Sequence, residues 1–131
     1  MTTTVFEPAF PLSDTMLETV VRAALEEDRA YQDVTTHCVV PADLRASAVL
    51  VARSAGVIAG LPVMQAVFTL LDPLVKCRRL ESDGARVSAN QAVLEIEGSA
   101  RALLSGERVA LNFIQRLSGI ATLTARFVDA V

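Results

Sequence analysis

Lysine and histidine are almost missing from this chain of 131 residues: Lys76 and His37 each stand alone, beside two cysteines, Cys38 and Cys77. One histidine and two dispersed cysteines with no CxxC pair cannot close a four-ligand zinc site within one chain. His37 and Cys38 are therefore read as ordinary side chains, and both thiols as free in a reducing cytosol. Positive charge is short as well. A net charge of −3 and a pI near 5.1 argue against a general nucleic-acid binder. Eleven of the twelve basic residues are arginine. The start, MTTTVFEPAF, lacks the basic n-region and long apolar core of a signal peptide, and the chain is read as cytoplasmic. Its uncharged run at 54–71 is long enough to raise a membrane span, but Gly56, Gly60, Pro62 and Gln65 interrupt it, and strand, turn and helix fit better. Repeats and low-complexity segments are absent.

Apolar residues make up 52% of the chain and charged ones 21%, enough for one domain with a real core. A mean hydropathy of +0.43 is high for a small domain and predicts that apolar surface is covered by a second copy or by a missing part of the chain.

Residues 1–11 read as a loose arm. Ser13 or Asp14 then caps a helix whose apolar face is Leu17, Val20, Val21, Ala24 and Leu25. It ends in Glu26, Glu27 and Asp28, read as a solvated helix end rather than a metal site. The β-branched stretch 34–40 predicts a short extended segment, and 45–53 a strand continued after a turn by 56–59. Pro62 suits the first turn of a helix over 63–71, stopped by Asp72-Pro73. Residues 74–81 and 92–97 predict two strands around the Ser82-Asp83-Gly84 turn. That hairpin is similar to those of biotinyl and lipoyl carrier domains, but its tip at 88–90 has no lysine to modify.

Residues 102–117 form the central element, a helix with apolar residues on more than half its surface, through which runs a stripe of Arg108, Asn112 and Arg116 at i, i+4 and i+8. A guanidinium on a largely buried helix demands a partner. Glu107 is adjacent in sequence, but successive residues on a helix diverge by about 100° and pair poorly. The alternative is a carboxylate or phosphate outside this chain, which the planar fork of arginine suits. Ser118-Gly119 is expected to relax the helix before a second one over 120–131 begins.

The segment GERVALNFIQRLSGIATLT, 106–124, resembles the signature of the quinolinate phosphoribosyltransferases, or nicotinate-nucleotide pyrophosphorylases (carboxylating). The blocks at 26–36, 52–63, 68–74 and 82–108 resemble that family in the same order, so the likeness covers nearly everything from Thr15 onward. It implies an α+β domain with an antiparallel sheet and packed helices over 1–119, hammerhead-like, and over 120–131 the start of a C-terminal α/β barrel that the chain lacks. The family's DTRKTTPG block, His-Arg pair, lysine and acidic residues are absent, so no catalytic residue and no metal ligand is assigned here, and the isolated chain is expected to be inactive.

The implied reaction joins quinolinate to 5-phosphoribosyl-1-diphosphate with Mg2+, releasing diphosphate and CO2 to give nicotinate mononucleotide. It would take place in a homodimer or larger assembly, with neither nucleic acid nor membrane. By resemblance Arg108 is the arginine that reaches across to a quinolinate carboxylate. Glu107, Asn112 and Arg116 are expected to orient the helix or serve the interface, and Glu27, Asp28, Asp33 and Thr35 to fix a loop by hydrogen bonds. The alternatives are a related pyrophosphorylase linked to molybdate uptake and a non-catalytic dimerisation or carrier-like module.

Overall fold

Ser13 opens the first helix, α1 (Asp14–Glu27), its hydroxyl accepting from the Met16 N–H at 3.3 Å. In this computed structural model, which describes residues 9–131, Val21 and Leu25 of α1 are wholly buried, whereas Val20 turns outward. Most of the arm expected at 1–11 lies outside the described residues.

The stretch after α1 departs from its expected extended form. Following a single 3-10 turn (Ala30–Gln32), residues 34–39 make a short helix, α2 (Val34–Val39). Its β-branched residues favour a strand, but Asp33 overrides them. Its Oδ1 accepts from the Thr36 N–H at 3.1 Å, its Oδ2 from the Thr36 hydroxyl at 2.5 Å, and its carbonyl from the His37 N–H at 3.0 Å. A local cap decides the conformation where propensity is weak.

Strands β1 (Arg45–Val51), β3 (Lys76–Arg79) and β5 (Ala92–Ser99) form an antiparallel sheet in the order β1-β5-β3. Register places Lys76 opposite Glu97 and Arg78 opposite Glu95, and the Arg78 guanidinium reaches the Glu95 carboxylate at 2.6 Å. The segment expected to extend this sheet instead builds a second one: among the described residues β2 (Gly56–Val57) pairs with β4 (Arg86–Val87) alone.

Helix α3 (Leu61–Leu71) begins at Gly60, φ +102°, with Pro62 in its first turn. Asp83, in the turn expected at 82–84, reaches back across the chain to cap it, accepting from the Gly60 and Leu61 N–H groups at 3.0 and 2.9 Å. Leu61 and Val67 of α3 join Val93 and Leu94 of β5 at the centre of the core, fully buried.

Helix α4 (Ala100–Asp129) runs thirty residues without interruption, so the relaxation expected at Ser118-Gly119 does not occur. At Gly106 the helix lies against α3 so closely that a Cβ would stand 2.8 Å from Leu71 Cδ1. Further along, two hydroxyls serve β2 and the residues just after it. The Ser118 Oγ accepts from the Ala59 N–H at 3.0 Å, and the Thr122 Oγ from the Val57 N–H at 2.9 Å. Arg86 then holds Asp129 at 2.7 Å. These contacts outweigh the roughly 1 kcal/mol cost of a glycine inside a helix.

Nor is α4 buried on most sides. Its buried residues end at Ile114, and Leu104, Ile120, Leu123 and Phe127 are more than half exposed. Between α4 and β1 lies an open, largely apolar groove of about 1150 Å³, walled by Leu50, Leu104 and Leu111 with Ile96 and Ile114 beneath. Among the described residues no helix is long and apolar enough to cross a membrane.

Candidate functional site

Three residues of α4, spaced Arg101, Ser105 and Arg108, face the segment from the end of α1 to the end of α2. The Arg101 guanidinium donates to the carbonyls of Val40 and His37 at 2.7 and 3.1 Å. The buried Ser105 hydroxyl donates to Asp33 Oδ2 at 3.0 Å. Arg108 Nη1 donates to Asp28 Oδ1 at 3.2 Å. One strip of α4 thereby fixes residues 28–40 at three heights.

Asp33 is held chiefly by Thr36, through its hydroxyl and then its N–H; with Ser105 adding a smaller share, its carboxyl stays below the ordinary carboxylate value. Asp28 and Asp33 thus carry the hydrogen bonds expected of this loop. Thr35 does not, since the engaged hydroxyl belongs to Thr36, and neither does Glu27, which is exposed and without a side-chain hydrogen bond among the described residues. Ser105 had no role legible in the sequence. Its signal was spacing: a serine four residues after one arginine and three before another, on one face of the helix.

The expectation that Arg108 is buried is wrong. Its side chain is 77% exposed and projects from the solvent face, its one bonded partner being Asp28 rather than Glu107. Four of its five N–H donors have no acceptor among the described residues. Asn112 and Arg116 continue the strip on the same exposed face, with no side-chain hydrogen bond there, and Glu107 lies apart from them on the rim of the groove. The four residues are therefore not gathered into one pocket.

A carboxylate meeting the free edge of Arg108 would find parallel N–H donors already oriented, the arrangement for bidentate recognition. No group of three or more His, Cys, Asp or Glu side chains that could hold a metal occurs among the described residues.

Comparison with known proteins gives this arrangement a context. A family model described as quinolinate phosphoribosyl transferase, N-terminal domain, matches residues 33–118. The rice protein "Nicotinate-nucleotide pyrophosphorylase [carboxylating], chloroplastic" is 40% identical over 94% of this chain and 33% of its own length. The tobacco protein "Quinolinate phosphoribosyltransferase [decarboxylating] 1b" is 37% identical, again over 94% of this chain and 35% of its own length. NadC from Streptococcus pyogenes superposes with a TM-score of 0.87 at 44% identity, over 93% of this chain and 44% of that one. The nicotinate-nucleotide pyrophosphorylase from Francisella tularensis superposes with a TM-score of 0.83 at 33% identity, over 90% and 42%. The chain spans about a third of the length of the curated relatives it matches. It belongs to the quinolinate phosphoribosyltransferase family, whose N-terminal domain it carries.

Proposed function

We propose that this chain is the N-terminal domain of an enzyme that transfers a phosphoribosyl group from 5-phosphoribosyl-1-diphosphate to quinolinate with decarboxylation. The products are nicotinate mononucleotide, CO2 and diphosphate, in NAD biosynthesis. The names of the relatives support the reaction. The observation that carries it to a residue is Arg108: an exposed guanidinium, tethered at one nitrogen and open at the others.

Quinolinate is a pyridine ring with two adjacent carboxylates, and its nitrogen must reach the anomeric carbon of the sugar. Arg108 binds one carboxylate as a fork, fixing the ring's orientation and drawing on charge-assisted bonds that strengthen once water is excluded. Mg2+, when bound, would supply charge neutralisation at the departing diphosphate, and no described residue is assigned to hold it. Bond making, diphosphate release and CO2 loss are assigned to none of the described residues, and the 131-residue chain by itself is expected to turn over no quinolinate. Glu107, Asn112 and Arg116 serve the interface of a homodimer or larger assembly, or orient α4, and the protein works in the cytoplasm. Residues 120–131, a stretch of α4 beyond its last buried residue, Ile114, lead into the barrel domain in this reading.

The test is Arg108→Ala in the intact protein. Losing a charge-assisted contact that is desolvated only when the ligand binds costs roughly 2–5 kcal/mol, so the KM for quinolinate should rise about thirtyfold or more while the melting temperature holds. An unchanged KM removes Arg108 from the site. Quinolinate consumption also separates this reading from a molybdate-linked pyrophosphorylase.

A further inference from the structure

We propose that Asp28 is a positioning residue for Arg108, holding one end of its guanidinium so that the opposite edge is presented to an anionic ligand; this rests on the reading of Arg108 given above. An arginine side chain has four rotatable bonds, and an exposed one samples many directions unless something fixes its head group. The asymmetry of the pair is the key. The Asp28 side chain is 22% exposed and the Arg108 side chain 77%, so the carboxylate is the anchored member and the guanidinium the one it restrains.

Asp28 is itself immobilised. Its N–H closes the last turn of α1 onto the Ala24 carbonyl at 3.0 Å, and Arg29 after it takes a left-handed conformation, φ +57°. Five residues on, the Asp33–Ser105 bond docks the same loop onto α4 one turn before Arg108. Loop and helix are thus joined twice, three residues apart on one helix face. Only a single nitrogen of the guanidinium is spent on Asp28. The Nε–H and Nη2–H pair, one fork of the guanidinium, is left for a ligand carboxylate.

A double-mutant comparison in the intact protein tests this. Asp28→Ala should raise the quinolinate KM about two- to fivefold with kcat nearly unchanged. Asp28→Asn, which keeps an acceptor at the same place, should recover most of the loss. In an Arg108→Ala background, Asp28→Ala should add nothing, whereas a merely structural role would add its effect in both backgrounds and lower the melting temperature. An unchanged or lowered KM in Asp28→Ala, or an additive effect in the double variant, overturns the proposal. Should Arg108→Ala itself leave KM unchanged, the function assigned to Arg108 fails instead. The tether is then judged in the 131-residue chain by NMR: Asp28→Ala should collapse the separate Arg108 Nη signals into one average, and unaltered signals would refute it.

Discussion

At the residue scale the acidic side chains do more than the sequence advertises. Asp72, read only as part of a helix stop, is nearly buried and joins three segments. Its Oδ2 accepts from the Ser99 N–H at 2.8 Å, its Oδ1 from the Leu74 N–H at 2.9 Å, and Arg45 lies 3.8 Å away. The Ser99 bond, then that of Leu74, and last the Arg45 charge, pull its carboxyl below the ordinary value against the opposing effect of burial. Asp33 is lowered too. A group whose pKa is lower when folded contributes stability that is complete above the unfolded value of about 3.9 and is lost as pH falls through the folded one. The urea midpoint should therefore drop on going from about pH 5 to about pH 3. Asp72→Asn should be less stable at neutral pH but show a shallower drop; an unaltered pH slope in that variant would deny Asp72 its part. None of this could be read from Asp72-Pro73 alone, because the acceptors' partners lie 2 and 27 residues away.

At the element scale, periodicity was legible and termination was not. The apolar face of α1, Val20 excepted, and the existence of α3 and of strands within 45–53 and 92–97 follow from the sequence, because an element that packs on the core must carry apolar residues at its period. Residues 34–39 and 118–119 defeated that logic for opposite reasons. Asp33 imposes a helix on residues that prefer strand, while Ser118 and Thr122 are recruited as partners for β2 and the residues just after it and keep α4 going through Gly119. The same junction explains Gly60. At φ +102° it occupies a backbone region that side chains rarely enter, and a Cβ there would stand 2.7 Å from Leu117 Cδ1 on α4. Gly60→Ala should cost about 2 kcal/mol or more, read as a lower urea midpoint with the slope preserved. A variant as stable as the parent would mean that the β2–α3 corner is loose rather than wedged against α4.

At the scale of the whole molecule, the question is what covers the apolar surface. The high mean hydropathy predicted covering by another body, and the fold shows where the unmet surface lies. Ile120, Leu123 and Phe127 share a stripe on the distal half of α4, each more than half exposed, and the groove between α4 and β1 adds Leu104 and Leu111. Scattered apolar side chains on a surface are ordinary, but a continuous stripe beside an open groove is not. Under the proposed homo-oligomeric assembly, the 131-residue chain should associate on its own through this surface. Light scattering should report a dimer or larger species, with the monomer fraction growing on dilution. Leu123→Asp with Phe127→Asp should shift the population to monomer, since both side chains project from the core and their replacement leaves Val109, Ala110 and Ile114 packed. If the parent chain is a clean monomer at every concentration, pairing through α4 is not a property of this domain. Arg108 would then have to meet its ligand without a neighbouring copy brought close by that face.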